Sequence, residues 1–245
     1  MKKTSRSDKS DMLFSALREE IKQKGILNVI GTLAKILLIF GYYKSFGWFR
    51  KFIFQGKRYR YFYHLYNTTW ENERSVEIPI VRNFVKKHQS NEILEVGNVL
   101  SFYFQVRHDV IDKYENATGI INEDVIDFRP SKKYELIIGI STLEHVGTGQ
   151  YGKETEPRDI LAAIENLKNC LTPSGKIIVT MPVGENPVLD KLLEEKNISF
   201  THQYGLKRIG SNKWIQAEWK EIMGTKYNYP YIRANAVVIG IIEGS

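Results

Sequence analysis

Three short runs restrict the fold of this chain more than any other feature: Leu136–Ile140 within YELIIGI, Lys176–Met181 (KIIVTM) and Ala236–Ile242 within ANAVVIGII. They are nearly free of polar residues, so they do not show the in–out alternation of a half-exposed strand. Strands that read this way are buried on both faces, as in parallel sheets covered by helices. Between such runs lie helical patterns at Asp159–Leu171, Pro187–Glu195 and Val81–His88, with Pro79 expected as the turn into the last of these. Further strands are expected at Ile93–Val96, Asp109–Ile111 and Thr118–Ile121. The alternation predicts an α/β fold, a mostly parallel sheet with helices on both faces.

A chain of 245 residues accommodates one such domain plus an appendage and buries a core without covalent staples. The single cysteine, Cys170, excludes an internal disulfide and falls within an apolar helical pattern, so it is expected to be a buried structural thiol. The five histidines show no paired ligand spacing, and no metal is expected.

The net charge of +7 is placed unevenly: no acid occurs between Glu20 and Glu71, while Lys22, Lys24, Lys35, Lys44, Arg50, Lys51, Lys57, Arg58 and Arg60 fall in the first quarter. Residues 1–11 are polar and expected to form a disordered tail. Residues 12–75 are expected to form a basic, aromatic, helical extension, and residues 76–245 the α/β domain. Ile26 to Tyr43 is the one membrane candidate, but Lys35 stands at its middle, where a charge is costly. A helix lying in the interface or packed on the domain is the favoured expectation. It would give peripheral contact with an anionic membrane from the cytoplasmic side. The rest of the basic, aromatic segment is compatible with nucleic acid or with a plain solvated face.

Four segments carry candidate chemistry. In NEILEVGNVLSFY (91–103), a strand ends at Glu95-Val96-Gly97 and enters a turn, the shape of a nucleotide-binding crossover, where a glycine lets backbone approach a ligand. Asp112, with Glu115 as rival, lies near the distance at which an acid holds ribose hydroxyls. In GIINEDVIDF (119–128), an acid after a strand can accept a hydrogen bond from an exocyclic amine while Val125 or Ile126 packs on the ring. In YELIIGISTLEHVGTG (134–149), Ser141, Thr142, Glu144 and His145 emerge at a strand's carboxyl end, where open α/β sheets bind ligands. A histidine there serves as a base or as a helix-capping residue. LKNCLTPSGKIIVTMPVGENPVLD (167–190) ends a helix, turns at Pro173-Ser174-Gly175, and runs a strand into a rigid polar loop.

In this order the segments resemble the successive motifs of class I S-adenosylmethionine-dependent methyltransferases, over about residues 90–242. LTPSGKIIVTMP is similar to the family's "L-x-P-G-G-x-hydrophobic" segment, with Ser174 in place of glycine, and STLEHVG to its "hydrophobic-S-x-x-x-E-H" strand end. Together with NTTWENERSVEIPI and MPVGENPVLD, the set resembles members associated with surface-polysaccharide synthesis. The resemblance implies a Rossmann-like fold and S-adenosylmethionine as cofactor. It implies that Glu95 and Gly97 lie by the methionine moiety, Asp112 at the ribose, and Asp124 with Val125 at the adenine, with Asn98 also binding the cofactor. Ser141, Glu144 and His145 would then border cofactor and acceptor. His145 is the expected general base and Glu144 its partner, with His108 and Glu185 as rivals. Tyr61, Tyr63, Tyr66, Trp70, Trp214 and Trp219 are candidates for an acceptor wall or for plain packing. The acceptor implied is a small molecule or a glycan, including a lipid-linked precursor.

The usual G-x-G-x-G loop is absent: Gly97 is followed by Asn98-Val99-Leu100-Ser101. A nicotinamide enzyme is disfavoured by the missing G-x-G-x-x-G, and a nucleic-acid methylase by the lack of a proline–aromatic catalytic tetrad. A degenerate fold acting as a binding module stays open.

Overall fold

The computed structural model describes residues 25–147 and 156–244; the expected tail at 1–11 and the helical pattern at 12–24 lie outside them. Helix α1 (Ile26–Phe46) comes first. It leads into an antiparallel hairpin of β1 (Lys51–Phe54) and β2 (Lys57–Arg60). The expectation of a helical segment therefore holds for α1 and fails for the hairpin. The cause is alternation: Phe52 and Phe54 point inward while Lys51, Ile53 and the turn residues Gln55-Gly56 face out, a period of two. Positive φ at Gln55 and Gly56 makes the two-residue turn.

Helix α2 spans Arg74–Val85, so it begins seven residues before the expected start and carries Pro79 inside it. Proline lacks the N–H that would bond to Ser75, four residues back. The Ser75 carbonyl instead accepts a hydrogen bond from the Phe62 N–H at 2.9 Å. The helix thus uses its own defect to fasten the segment just after the hairpin.

The main sheet contains β3 (Ile93–Val96), β4 (Asp109–Ile111), β5 (Ile120–Ile121), β6 (Tyr134–Ile140), β7 (Leu171–Pro182), β8 (His202–Gly210), β9 (Lys213–Ala217) and β10 (Ala236–Glu243). Their order is β5-β4-β3-β6-β7-β10-β8-β9. The junctions from β5 across to β7 are parallel, while β10 runs antiparallel between β7 and β8. This is the Rossmann-like, mostly parallel α/β sheet expected. The strand order reverses direction at β3: β4 and β5 lie on one side of it, β6 and β7 on the other. That switch leaves a crevice above the carboxyl ends of β3 and β6.

Each face of the sheet is covered. Helices α3 (Pro157–Asn169) and α4 (Pro187–Glu194) pack Ile160, Ile164, Leu167, Leu189 and Leu193 against Ile137, Val179 and Val238. Cys170 is buried in this layer as a free thiol. The opposite layer joins Val76, Ile78, Ile80 and Val81 of α2 to Leu136, Ile138 and Ile140, and it includes Phe52, Phe54 and Tyr61. The hairpin is therefore part of the domain's core. Its Phe52 ring lies 5.5 Å from Tyr59 and 5.1 Å from Tyr61. The Tyr61 hydroxyl oxygen in turn accepts the Trp214 backbone N–H at 2.9 Å.

Phe52→Ala is expected to cost about 3–5 kcal/mol and to lower the midpoint of one cooperative thermal transition. An unchanged main transition, with hairpin melting seen separately, would show that the hairpin is an independent appendage.

Candidate functional site

The crevice at the switch point opens into a cavity of about 500 Å³, within the range of cofactor and small-molecule sites. Its walls come from the ends of three parallel strands and from α2. They include Val96, Gly97 and Asn98 after β3, Ile111 and Asp112 after β4, and Ser141, Thr142 and His145 after β6. Asp124 and Val125 close one side and Arg74 another.

The β3 turn is held by side chains, which accounts for its shortage of glycines. The Glu95 carboxylate is fully buried; its Oε1 accepts the N–H groups of Val99 at 3.0 Å and Leu100 at 2.7 Å. Its Oε2 lies 2.7 Å from His108 Nε2. Gly97 alone must be glycine. Its φ is 80°, and a Cβ there would stand 2.4 Å from Thr142 Oγ1.

Asp112 works similarly. Its Oδ2 accepts the Asn98 N–H at 3.1 Å, and its Oδ1 accepts those of Tyr114 at 2.9 Å and Glu115 at 2.8 Å. A carboxylate offers about four acceptor positions, so one on Oδ2 remains for a ligand hydroxyl. Asn98 donates through Nδ2 to Glu115 at 2.8 Å and leaves a buried Oδ1 without a partner. Asp124 accepts the Ile126 N–H at 3.0 Å and pairs with Lys113 Nζ at 2.7 Å. That pair is open to solvent, so a ligand can displace it at little cost.

Ser141 carries the strain at the end of β6, with φ of 42°, a region that disfavours non-glycine residues. It is held there because its N–H donates to the Thr180 carbonyl at 2.9 Å and its Oγ donates to Glu77 Oε1 at 2.7 Å. Glu77 in turn pairs with Arg74 at 2.5 Å. Burial opposes the Arg74 charge, but Glu77 and Glu73 outweigh it, and its pKa rises above the usual arginine value. Arg74 thus presents a fixed positive charge at the cavity wall.

The structure brings Gly97, Asn98, Asp112, Asp124, Val125, Ser141 and His145 to one cavity. Glu95 and Glu144 do not line it, which corrects the expectation that they touch ligand. Glu95 is consumed by the turn. Glu144 is buried, and among the described residues no other residue supplies a partner to its carboxylate oxygens. It therefore does not orient the imidazole by a hydrogen bond. The rivals His108 and Glu185 also lie off the cavity wall. Tyr61, Trp70 and Trp214 are core residues, whereas the exposed Tyr114 stands at the rim. Sequence reasoning leaves Arg74 off the site because the polar stretch Glu71–Arg74 reads as a solvated loop, or at most as a lid. The signal was present in the Arg74–Glu77 spacing, which places both charges on one helix face.

Desolvation, then the charge of Arg74, lowers the His145 pKa, so the imidazole is neutral near pH 7. Burial raises Glu144 well above its ordinary value of 4.5, with Glu185 and Glu77 adding to the effect. A carboxyl whose folded pKa is raised binds its proton more tightly when folded. Its favourable contribution is complete below the unfolded value near 4.5 and is lost as pH climbs through the folded one.

Glu144→Gln removes that dependence. It is expected to raise Tm at pH 8, by roughly 2–4 °C per kcal/mol relieved, and to leave Tm unchanged at pH 4. Equal Tm for variant and parent at both pH values would contradict the buried, proton-holding environment of Glu144.

No family model and no curated protein matches the sequence. Among solved structures, the chain is similar to the N-methyltransferase NodS from Bradyrhizobium japonicum WM9 in complex with S-adenosyl-L-homocysteine. The identity is 12%, over 70% of this chain and 87% of that one, with a TM-score of 0.44. An rRNA methylase from Streptococcus thermophilus matches at 12% identity over 69% of this chain and 97% of its own, TM-score 0.40. An S-adenosylmethionine-dependent methyltransferase from Clostridium acetobutylicum ATCC 824 matches at 10% over 68% and 89%, TM-score 0.36. At such values no residue role passes from those proteins to this chain.

Proposed function

We propose that this chain is an S-adenosylmethionine-dependent methyltransferase that methylates an oxygen of a glycan or of a lipid-linked glycan precursor. One observation carries the first half. Motifs well separated in sequence, those around Gly97, Asp112, Asp124 and His145, converge on a single cavity at the switch point of the sheet. Open α/β sheets bind nucleotide-like ligands at that point.

The residues present fit the cofactor. Val96, Ile111 and Val125 offer apolar surface for a purine. Asp112 keeps one acceptor position for a ribose hydroxyl, and Asp124 can release Lys113 to accept from an exocyclic amine. Asn98 Oδ1 is a buried acceptor awaiting a donor. The Arg74 guanidinium, fixed by Glu77, suits the carboxylate of an amino-acid tail. When bound, the cofactor supplies an electrophilic methyl group on a sulfonium sulfur.

What the chain adds is alignment, dehydration and a proton acceptor. Holding reactants in line can supply much of the rate. The His145 imidazole accepts the proton of an attacking hydroxyl, and burial, with the Arg74 charge added, favours its neutral form beforehand. Support for a sugar acceptor comes from the exposed Tyr114 ring at the rim, since aromatic faces suit amphipathic rings. The resemblance of the motif set to polysaccharide-associated members points the same way.

The test is transfer of labelled methyl from S-adenosylmethionine into glycan and lipid-linked glycan fractions, with RNA in parallel. Label in the glycan fractions supports the proposal. Label in RNA overturns the acceptor, and binding without transfer to any fraction overturns the enzyme in favour of a binding module. His145→Ala is expected to lower turnover by about 10²–10⁴-fold with cofactor affinity nearly unchanged. Asp112→Ala and Arg74→Ala are expected to weaken cofactor binding, read by calorimetry.

A further inference from the structure

Helix α1 carries an apolar surface that no described residue covers. Leu27 is 80% exposed and Leu38 76%, and Ile26, Ile30, Leu33 and Leu37 are exposed with them. Val29 is the one buried residue of the helix. At 100° per residue, the exposed apolar side chains from Leu33 round to Phe46 sweep about 220° of the circumference. A soluble surface helix keeps a narrower apolar stripe and turns it inward.

The polar side chains offer only a narrow water-facing stripe: Asn28, Thr32 and Lys35 share about 60° of the circumference, and Lys44 lies elsewhere. Lys35 and Lys44 are nine residues apart, about 180° around the helix. The side turned to the domain is apolar as well: Phe40 and Tyr43 meet Trp70 and Tyr63, with centroids at 5.9 Å and 4.6 Å. The helix is therefore apolar towards the domain and apolar away from it. An in-plane amphipathic helix, the favoured expectation from sequence, needs a wider polar face than this stripe provides.

The segment after the helix is complementary to an anionic lipid surface. Tyr42, Phe46, Trp48 and Phe49 are exposed at the helix's carboxyl end, the placement of aromatic residues at a bilayer interface. Exposed Lys51, Lys57, Arg58 and Arg60 come next on the hairpin, with no acid in the sequence from Ile21 to Trp70. The helix has 21 residues and is about 31 Å long, which matches the hydrocarbon core of a bilayer.

We infer that α1 is embedded in the hydrocarbon of an anionic membrane, with the aromatic collar at the interface and the basic hairpin against the headgroups. Apolar burial of six exposed leucine and isoleucine side chains holds the protein there and outweighs the cost of Lys35 near the helix centre, and charge selects the surface. The inference goes beyond the methyl-transfer proposal and stands on α1 and the hairpin alone, so either can fail without the other.

The experiment uses the full chain and vesicles of phosphatidylcholine with or without phosphatidylglycerol. Flotation is expected with the anionic vesicles and is expected to survive 1 M salt and an alkaline wash. Trp48 fluorescence is expected to be quenched by lipids brominated in their acyl chains, and Trp48→Phe to abolish that component. Leu33→Asp with Leu37→Asp is expected to lower vesicle partitioning at least tenfold while leaving Tm unchanged, because both positions are exposed. Release of the parent by salt would overturn the inference in favour of attachment by charge alone. A parent that stays in solution as a self-associated species, with Trp48 unquenched, would overturn it in favour of a protein partner for α1.

Discussion

The hydrogen bonds of the Glu95 carboxylate hold the site together. A buried carboxylate without partners is severely penalised, and Glu95 avoids that by accepting from two backbone N–H groups and approaching His108. In doing so it fixes the turn after β3, and that turn sets the position of Asn98 relative to Asp112. Asp112 then ties the Asn98 N–H to the end of β4. Two carboxylates thereby perform the shaping usually left to a run of glycines. The turn is stiffer for it, and the single place where backbone geometry demands glycine is Gly97, packed against Thr142.

A second network reaches the cavity from the opposite side. Ser141, Glu77 and Arg74 link the strained end of β6 to the start of α2. Arg74 is surrounded by carboxyl groups, and burial leaves Glu73, Glu144 and Glu185 with raised pKa values. The guanidinium is the counter-charge that makes such a concentration of acids tolerable. Its charge also reaches His145, so the ion pair fixes a cation at the cavity wall and adds to the burial that lowers the adjacent imidazole's pKa.

Much of the sheet was legible because fully buried strands announce themselves. The stretches containing β3, β6, β7 and β10 are mostly apolar runs, and their bounds in the structure differ from expectation mainly at β7, which begins at Leu171, paired with Tyr134 ahead of a register shift. The strands that went unread, β8 and β9, lie towards the sheet edge. In β9 exposed Lys213 and Ile215 flank buried Trp214, and β8 opens on exposed His202 and Gln203 ahead of buried Leu206, so exposed positions dilute the hydrophobic signal. The β1–β2 hairpin was hidden among cations and aromatics whose period of two was masked by α1 before it. Helix α2 was misplaced because Pro79 reads as a boundary, and only the tertiary bond from Phe62 shows why the helix tolerates it. At the site, residue types at strand ends located the cavity, but sequence alone could not show whether Glu95 and Glu144 face a ligand or the protein's own backbone and interior.

The decisive measurement is amide hydrogen exchange on the full chain with and without saturating S-adenosylhomocysteine. If the switch-point cavity holds the cofactor, slowed exchange is expected in the turns at 97–100, 112–115, 123–126 and 141–147. No change is expected in the segment 128–133 on the far side of the sheet's carboxyl edge. Uniform exchange in a folded protein, or protection confined to other segments, would contradict the assignment of this cavity.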